Sequence, residues 1–462
     1  MSKARDKGVV KLGMLGSGVV GEAVQDLILS GALKGKCSKE LELVKVFTRS
    51  PAKKKWYAKQ PSLFTTRPEE VTDHPEIDIV LEVLGSQDEA ALFSFRDHII
   101  RAFQKGKSVV TSDKAVLAKC GKEIWSAARQ YGRELRFEAC VGGGIPIIRS
   151  LAEGLSAEEP ESIYGIVNGT CNYILSEMKK GGKSFGAALR EAQERGYAET
   201  NPEADTSGQD AEAKLILLAG VTFGLLVEPG AIYRKGIEQI HPIDFLYADR
   251  KGSSTIKHLA VARNSRGRIS AFVSPVLVPY RHFSASIDGS TNAIFFKGKR
   301  SGDANGRDWN YVFVGPGAGG GPTAVAVMGD VLELAQGRSG GSSGPVGPAM
   351  SGSVSLQSEK EISAGFYLRF VVRDQTGIVA EISQILGGQG IHISEVWQLH
   401  HSRDELAGLI EHYKLSAKPS EVLPFVITLE QATVGQIQKA VEIIRRKNFI
   451  LVEPVWLPMW SE

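Results

Sequence analysis

A strand-like run that leads directly into three spaced glycines is the feature that most constrains the fold of this chain. Residues 9–15 are apolar except for Lys11, and Gly16, Gly18 and Gly21 follow them at the start of a helical pattern. The first glycine permits a tight turn, the second lets a pyrophosphate approach the backbone, and the third allows close helix–strand packing. The spacing alone is weak evidence, but its place between strand and helix predicts a dinucleotide site. The predicted contacts are Gly16, Ser17, Gly18, Val19, Val20 and Gly21.

Strands and helices alternate beyond this turn. Strand-like runs lie at residues 9–15, 41–47, 77–83 and 108–111, with helical patterns such as 20–29 and 93–105 between them. This alternation is typical of βαβ units with a parallel sheet. We therefore predict an α/β, Rossmann-type dinucleotide-binding domain over residues 1–140.

The end of the second predicted strand bears on the choice of cofactor. An acidic residue here usually binds the ribose hydroxyls of NAD, whereas this chain has Thr48 and Arg49, followed by lysines at 53–55. An arginine suits the additional 2′-phosphate of NADP. We therefore expect NADP(H) to be preferred over NAD(H), with Arg49 as a contact. The alternative is a solvated basic loop.

A second candidate site lies at the start of a later helix. Asp210 and Lys214 are spaced i, i+4 and share one helix face, and Ser207 is expected to cap that helix. Taken alone, this pattern is usually a surface ion pair. A wholly apolar run, 215–227, follows Lys214 directly, which predicts a partly desolvated lysine beside the aspartate. Such a lysine can donate a proton to an alkoxide.

Composition excludes several other classes of protein. The 55 Lys and Arg against 52 Asp and Glu give a net charge of +3, too small for a nucleic-acid binder. The longest apolar run is shorter than the roughly 20 residues of a membrane span, and the amino terminus lacks the apolar core of a signal peptide. Four cysteines without CxxC spacing support neither a disulfide framework nor a zinc site. We expect a cytoplasmic protein that binds neither nucleic acid nor membrane.

The remainder of the chain separates into three stretches. Residues 141–315 combine a long apolar helix at 209–226 with strand-like runs, so we expect a mixed α+β domain. Residues 337–360 are rich in glycine, serine and proline and are predicted to form a flexible linker. Residues 361–462 show a β-α-β-β-α-β order, which predicts a compact ferredoxin-like unit.

Five blocks of sequence resemble the homoserine dehydrogenase family, in the family's order. They are VVTSDKAVLA (109–118), EACVGGGIPII (138–148), GIVNGTCNYIL (165–175), GYAETNPEADTSGQDAEAKL (196–215) and GPGAGGGPTA (315–324). The resemblance implies a nicotinamide-dependent oxidoreductase that interconverts L-aspartate 4-semialdehyde and L-homoserine, on the route to threonine, methionine and isoleucine. It also implies that residues 141–315 form the catalytic and dimerisation domain and that residues 316–336 complete the nucleotide domain.

The resemblance implies roles for residues at matching positions. Lys214 matches the general acid/base, and Lys114 matches a second lysine near the nicotinamide and the substrate oxygen. Glu199 and Asp210 match positions that hold the amino-acid end of homoserine, and Asp205 is expected to support them. These residue types agree with the chemistry, because an ammonium group requires carboxylates and a developing alkoxide requires a cation or an acid.

Glycines and carbonyl groups account for the other implied contacts. Gly196, Gly317 and Gly319 match positions where the backbone approaches the cofactor. The implied ligands of a monovalent cation, usually sodium, are Glu138 and the carbonyls of Val141, Gly143 and Ile145. Oxygen ligands suit a hard cation, but the three glycines at 142–144 are equally compatible with a simple turn.

Asp113 and Ser86 depart from the family pattern, and two cysteines suggest a different chemistry. Asp113 stands where the family more often has Asn, and an added carboxylate is expected to raise the pKa of the neighbouring Lys114. Cys140 and Cys171 could indicate the thioester chemistry of aspartate-semialdehyde dehydrogenase. Neither lies near a positioned histidine, so we interpret them as small buried residues.

A further resemblance, to the ACT domain, rests on the motif VRDQTGIV at 372–379 and on the strand–helix order. It implies amino-acid binding where two copies pair, with Gly377 and the amides after it holding a carboxylate. Residues 400–420 resemble a variable insertion. We expect threonine, the end product of the route, as an allosteric effector. The alternative is a dimerisation module without a ligand.

These inferences predict a homodimer or homotetramer of three-domain subunits, with two alternatives for function. One is an amino-acid-sensing protein on an inactive dehydrogenase scaffold, and the other is a dehydrogenase of another small oxo acid. Lys114, Asp210 and Lys214 together argue against an inactive scaffold. Glu199 and Asp210 favour an amino-acid substrate.

Overall fold

A computed structural model describes residues 8–85, 88–299, 310–337 and 354–461. The chain forms two compact units, each assembled from three segments. The first comprises Met1–Val167, Asp210–Ala231 and Asn292–Ser355, and the second comprises Asn168–Gln209, Ile232–Thr291 and Leu356–Glu462. Most of the predicted linker at 337–360 lies outside the described residues.

The strands of the described residues alternate with helices along most of the chain. In chain order they are β1 (Val9–Leu15), β2 (Glu40–Phe47), β3 (Phe64–Thr65), β4 (Ile79–Glu82), β5 (Ser108–Thr111), β6 (Leu135–Arg136), β7 (Pro160–Ile166), β8 (Tyr233–Arg234), β9 (Ser254–Ser265), β10 (Arg268–Pro279), β11 (Thr291–Gly298), β12 (Asn310–Pro316), β13 (Ser355–Leu356), β14 (Ser363–Arg373), β15 (Ile393–Trp397), β16 (Val422–Thr433) and β17 (Ile450–Met459).

The α-helices are numbered in the same way. They are α1 (Val19–Leu29), α2 (Glu69–Thr72), α3 (Glu89–Gln104), α4 (Lys114–Gln130), α5 (Ile147–Arg149), α6 (Gly169–Gly181), α7 (Phe185–Glu194), α8 (Glu203–Thr206), α9 (Gln209–Phe223), α10 (Pro242–Arg250), α11 (Gly320–Ala335), α12 (Ile378–Gly388), α13 (Arg403–Tyr413) and α14 (Val434–Ile444). Among the described residues, no helix combines the length and the apolar character needed to cross a membrane.

The first unit contains a six-stranded sheet in the order β3-β2-β1-β4-β5-β6, in which all neighbouring strands are parallel. Leu12 and Met14 of β1 and Leu81 of β4 are fully buried, as expected for a parallel sheet covered on both faces. The strand order reverses between β1 and β4, and doubly wound sheets bind ligands at the carboxyl ends beside such a reversal. The predicted Rossmann-type sheet is confirmed, and Gly16 follows β1 at this point.

Residues after 315 contribute to the core of the same unit. Val24 of α1 and Val327 and Val331 of α11 lie in one buried cluster with residues of β1. Helix α9 is predominantly buried and ends at Phe223, earlier than the predicted 226, because Gly224 takes a left-handed conformation with φ 72°. Strands β7, β11 and β12 lie side by side, with β7 and β11 antiparallel.

The second unit contains a mixed sheet in the order β9-β10-β17-β14-β16-β15. Strands β10 and β17 are parallel, and the other neighbouring pairs are antiparallel. The last four strands have the order fourth, first, third, second, and the predicted β-α-β-β-α-β pattern is present with α13 added. Helix α13 lies within 400–420, where an insertion was expected.

The carboxy-terminal strands share their core with the rest of the second unit. Asp244 of α10 accepts a hydrogen bond from Tyr367 Oη at 2.7 Å and pairs with Arg369 at 2.9 Å. Both charged side chains are almost completely buried, with 1% of Arg369 and none of Asp244 exposed. A buried pair of this kind makes the loss of either partner strongly destabilising.

Candidate active site

The turn after β1 has the geometry that a dinucleotide-binding turn requires. Gly16 has φ 108°, and a β-carbon there would lie 2.6 Å from the carbonyl oxygen of Val83. A β-carbon at Gly21 would lie 2.7 Å from the carbonyl oxygen of Gly16. Gly18 has open space around its α-carbon and begins α1 without a side-chain cap. The first amides of α1 are therefore suited to a phosphate group.

Basic residues near the end of β2 have different surroundings. Lys54 and Lys55 pair with Glu22 and Asp26 of α1, at 3.2 and 2.8 Å. Arg49 is exposed directly after the strand. Since those two lysines already have carboxylate partners, Arg49 is the better candidate for a phosphate contact at this edge of the sheet.

The two lysines expected to act in catalysis, Lys114 and Lys214, lie together with Asp210, an expected substrate-binding residue, in the first unit. Asp210 Oδ1 is 3.2 Å from Lys114 Nζ, and Asp210 Oδ2 is 2.7 Å from Lys214 Nζ. Lys214 Nζ also donates to the carbonyl of Val167 at 2.7 Å. The side chains of Asp210 and Lys214 are about one-tenth exposed, whereas Lys114 is 38% exposed. The Asp210 carboxylate therefore links two ammonium groups, that of the buried Lys214 and that of the partly exposed Lys114.

Two helix starts bring these side chains together. Asp113 caps α4 by accepting hydrogen bonds from the amides of Ala115 and Val116, which places Lys114 in the first helical turn after β5. Asp210 and Lys214 lie in the first turns of α9, one turn apart on the same face.

The expectation that Ser207 caps α9 is wrong. Ser207 instead follows the short helix α8 with a helical backbone, and its hydroxyl accepts a hydrogen bond from Arg234 at 3.1 Å. Gly208 separates the two helices with φ 82°, a conformation that favours glycine. The chain therefore turns at Gly208, between α8 and α9.

Asp210 dominates the electrostatics of the cluster. Its carboxylate holds the pKa of Lys114 well above the usual value, and Asp113 acts in the same direction more weakly. The expected influence of Asp113 on Lys114 is thus present but is secondary. Lys114 remains a cation at neutral pH and can stabilise a developing negative charge.

The other expected substrate and cofactor residues from 196–205 belong to the second unit. Asp205 Oδ1 accepts a hydrogen bond from Asn168 Nδ2 at 2.7 Å, and Asn168 caps α6. Glu199 is exposed, and Gly196 has φ 74°. Asn168 was missed by the sequence analysis, although its position just before the start of a helix was a signal for it.

The segment around Glu138 carries an oxygen-rich turn. The Glu138 side chain is buried, and its two oxygens accept hydrogen bonds from the amides of Ile148 and Arg149 at 2.8 and 2.9 Å. Burial raises the pKa of Glu138 to about 7. Among the described residues, the carbonyls of Val141 and Gly143 accept no hydrogen bond.

This donor set fits a hard monovalent cation. The described residues contain no group of three or more His, Cys, Asp or Glu side chains suited to a metal ion. A cation at this turn would therefore be held by carbonyls and one carboxylate, which are ligands that hard cations accept. The carbonyl of Ile145 already accepts the amide of Ile147 at 2.8 Å and would serve through its second lone pair.

Close contacts tie this turn to the later glycine loop. A β-carbon at Gly143 would lie 2.6 Å from the carbonyl carbon of Gly317, and one at Gly317 would overlap the side chain of Asn292. A β-carbon at Gly320 would lie 2.9 Å from Val19 Cγ1, in the dinucleotide turn. Gly319 has φ 110°. The three glycine-rich segments therefore converge within the first unit.

The four cysteines are free thiols. Cys140 and Cys171 are buried, and each donates to a backbone carbonyl, that of Thr111 at 3.5 Å and that of Asp205 at 3.1 Å. Burial raises the pKa of Cys140 well above its usual value, which disfavours the reactive thiolate. This agrees with their interpretation as small buried residues.

Comparisons with known proteins agree with this arrangement. Family models described as "Homoserine dehydrogenase, NAD binding domain" and "Homoserine dehydrogenase" match residues 16–138 and 146–332. A homoserine dehydrogenase of Bacillus subtilis is 32% identical, over 91% of this chain and 95% of its own. The crystal structure of a homoserine dehydrogenase from Thiobacillus denitrificans has a TM-score of 0.83 at 30% identity and covers 98% of both chains. A hyperthermophilic archaeal homoserine dehydrogenase mutant in complex with NADPH has a TM-score of 0.57 at 26% identity, over 70% of this chain and 97% of that one.

Proposed function

The chain belongs to the homoserine dehydrogenase family, and from that premise we propose that it interconverts L-aspartate 4-semialdehyde and L-homoserine at the cluster of Lys114, Asp210 and Lys214. The observation that carries this proposal is the single carboxylate of Asp210 between two ammonium groups. Family membership favours this oxidoreductase over an amino-acid sensor on an inactive scaffold or a dehydrogenase of another oxo acid.

Lys214 acts as the general acid in the reduction. Its ammonium group has three N–H bonds, of which one is directed at Asp210 and one at the carbonyl of Val167. The third is available to the aldehyde oxygen. When bound, the nicotinamide cofactor supplies the hydride that reaches the carbonyl carbon. Lys214 then gives a proton to the oxygen, and water returns a proton to the lysine.

Lys114 stabilises charge and does not transfer the proton. Asp210 keeps its pKa high, so that Lys114 stays protonated while negative charge develops on the substrate oxygen. Asp210 orients both lysines and provides a carboxylate for the ammonium group of the amino acid. Glu199 is assigned to the amino-acid end of homoserine by its match to a family position, and Asp205, in the same segment, is assigned a supporting role.

The cluster is tested by steady-state oxidation of NADPH with aspartate semialdehyde. We expect Lys214→Ala to lower kcat by about 10²- to 10⁴-fold, the usual contribution of a general acid, and Lys114→Ala to lower kcat/KM. Lys122→Ala is the matched control, because Lys122 also lies on α4 but pairs at the surface with Glu228. Full activity of Lys214→Ala would contradict the assignment of Lys214 as the general acid. A wild type without activity would contradict the proposed reaction itself.

NADPH is proposed as the preferred cofactor, with Arg49 on the 2′-phosphate and the turn of Gly16–Gly21 on the pyrophosphate. Arg49→Ala is expected to lower the ratio of kcat/KM for NADPH to that for NADH by about tenfold or more. Lys45→Ala serves as the control, since Lys45 lies on β2, the strand that ends just before Arg49, and donates to the carbonyl of Ser62. An unchanged ratio in Arg49→Ala contradicts this assignment.

Sodium is proposed at Glu138 with the carbonyls of Val141, Gly143 and Ile145. A bound cation would neutralise the carboxylate and hold the turn against the Gly317 loop. The assignment rests on the free carbonyls of Val141 and Gly143 and on the family match.

Regulation by threonine is proposed for residues 361–462 as an ACT domain. Gly377 opens α12 with φ 86° and leaves the first amides of the helix without a side-chain cap, as a carboxylate site would need. Millimolar threonine is expected to lower the activity of the full chain, and methionine at the same concentration serves as the control. Equal activity with and without threonine would contradict the assignment of threonine as effector and would favour a dimerisation module that binds no ligand.

The remaining sequence predictions are kept as proposals. They are the domain division at 1–140 with 316–336, 141–315, 337–360 and 361–462, assembly as a homodimer or homotetramer, and a cytoplasmic location.

A further inference from the structure

A buried carboxyl group with no role in the proposed chemistry lies at the edge of the parallel sheet. Glu82 is the last residue of β4, after the apolar residues Ile79, Val80 and Leu81, and its side chain has no exposed surface. It lies at the carboxyl end of its strand, the edge where β5 leads to Lys114. An unpaired acid here would cost several kcal/mol, so its partners are informative.

Glu82 has two hydrogen-bond donors among its neighbours. Its Oε1 accepts the amide of Leu84 at 3.0 Å, and its Oε2 accepts the hydroxyl of Thr111 at 2.5 Å. Thr111 is the last residue of β5 and lies directly opposite Glu82 in the sheet register. The Thr111 hydroxyl in turn accepts the amide of Asp113 at 3.0 Å. Glu82 thus fixes the backbone as it leaves β5.

The same series of contacts continues into the catalytic cluster. Asp113 caps α4, and Lys114 is the first residue of that helix. Lys114 then pairs with Asp210, which pairs with Lys214. The Thr111 hydroxyl and the Asp113 helix cap therefore separate the buried carboxyl of Glu82 from the ammonium group of Lys114.

The surroundings of Glu82 favour its neutral form. Burial raises the pKa of Glu82 to about 8, and the Asp113 carboxylate contributes in the same direction, whereas the hydrogen bonds from Thr111 and Leu84 act against this rise and only partly offset it. Among the described residues, the ionisable groups around this pocket include Asp113, which caps α4, and the buried thiol of Cys140, with Lys114 and Asp330 acting on that thiol from further away. The charge with a resolved effect on Glu82 is that of Asp113, which disfavours the ionised form.

We propose that Glu82 is a positioning residue whose neutral carboxyl, acting through Thr111, holds the Asp113–Lys114 turn so that Lys114 faces Asp210. The proposal rests on the roles given above to Lys114 and Lys214. When Glu82 ionises, a second negative charge is introduced beside Asp113, and the cap that presents Lys114 is weakened by repulsion between the two carboxylates.

The decisive variant is Glu82→Gln, which keeps the size of the side chain and stays neutral at every pH. We expect its kcat for aldehyde reduction to be close to that of the wild type at pH 6.5. At pH 9 we expect kcat of Glu82→Gln to exceed kcat of the wild type by up to about tenfold, because most of the wild type then carries an ionised Glu82. If the ratio of the two kcat values is the same from pH 6.5 to 9, the proposal is overturned, since the loss of a purely structural contact changes kcat by the same factor at every pH.

A matched pair at Thr111 tests the connection to Lys114. Thr111→Ser keeps the hydroxyl, and Thr111→Val keeps the shape but loses it. We expect Thr111→Val to lower kcat by about ten- to a hundredfold with little change in KM for NADPH, and Thr111→Ser to remain near wild type. Denaturant midpoints show whether either variant is unfolded. Equal kcat in two folded variants contradicts the proposal.

Lys114→Ala, measured in parallel, separates this inference from the proposed function. If Lys114→Ala is fully active, the assignment of the cluster is wrong and Glu82 has nothing to position. If Lys114→Ala is impaired while Glu82→Gln and Thr111→Val match the wild type at every pH, only the role of Glu82 is overturned.

Discussion

Gly132 and Gly143 have nearly the same backbone conformation, with φ of 58° and 56°, in different surroundings. A β-carbon at Gly132 would meet no heavy atom within 4 Å, whereas one at Gly143 would lie 2.6 Å from backbone of Gly317. The pair therefore separates the cost of a strained backbone from the cost of a steric collision. At the scale of single residues, this collision is what ties the proposed cation turn to the later glycine loop.

We predict that Gly132→Ala lowers the free energy of unfolding by about 1–2 kcal/mol, the cost of the left-handed conformation, and leaves the kinetics unchanged. Gly143→Ala is predicted to lower the free energy of unfolding too and, in addition, to raise KM for NADPH at least about threefold, because the loop at Gly317 must move. Denaturant titration and steady-state kinetics on both variants check this. Identical kinetic behaviour of the two variants contradicts the link between turn and loop.

At the scale of elements, two neighbouring helices begin in the same way but differ in what they present. Asp88 caps α3 by accepting the amide of Ala91 at 2.8 Å, and Asp113 caps α4 through Ala115 and Val116. Only α4 begins with a residue of the catalytic cluster, Lys114. The cap of α4 therefore affects both stability and activity.

Asp88→Ala and Asp113→Ala are predicted to lower the free energy of unfolding by similar amounts, about 0.5–2 kcal/mol each. Only Asp113→Ala is expected to lower kcat, because the first turn of α4 frays and Lys114 leaves Asp210. Thermal unfolding and aldehyde reduction, measured side by side, check both. A loss of kcat in Asp88→Ala as large as in Asp113→Ala would show that helix stability alone controls activity.

Elements whose signal is local were predictable from the sequence. The strand, turn and helix around Gly16 follow from adjacent residues, and so does the i, i+4 placement of Asp210 and Lys214. The pairing of Lys114 with Asp210 joins the starts of two helices that are far apart in the sequence, and no local sequence pattern predicts it. The two-residue strands β3 and β6 are too short for any periodicity. Ser207 was misassigned because Gly208 starts a new turn there.

At the scale of the whole molecule, each compact unit contains a buried ionisable group with a shifted pKa. Burial raises the pKa of Glu82 in the first unit to about 8 and lowers the pKa of Lys235 in the second unit to about 8. Lys235 Nζ donates to the carbonyl of Trp456 at 2.7 Å. The two groups affect stability in opposite directions.

Between about pH 4.5 and 8 the native chain keeps a proton on Glu82 that the unfolded chain has lost, so stability falls as pH rises. Between about pH 8 and 10.5 the unfolded chain keeps a proton on Lys235 that the native chain has lost, so this group makes stability rise with pH. Glu82→Gln is predicted to make the free energy of unfolding less dependent on pH between about pH 4.5 and 8. Lys235→Met is predicted to do the same between about pH 8 and 10.5. Urea midpoints measured at intervals from pH 5 to 10 check this, and unchanged slopes in both variants contradict it.

The most direct test of the central claim is chemical rescue of Lys214→Ala. This variant removes the proposed proton donor and leaves a space beside Asp210 and the carbonyl of Val167. We predict that methylamine or ethylamine restores aldehyde reduction in Lys214→Ala, with a rate that rises with the concentration of the protonated amine, and has no such effect on Lys122→Ala. A Lys214→Ala variant that is as active as the wild type, or that is inactive and responds to no amine, would contradict the assignment of Lys214 as the general acid.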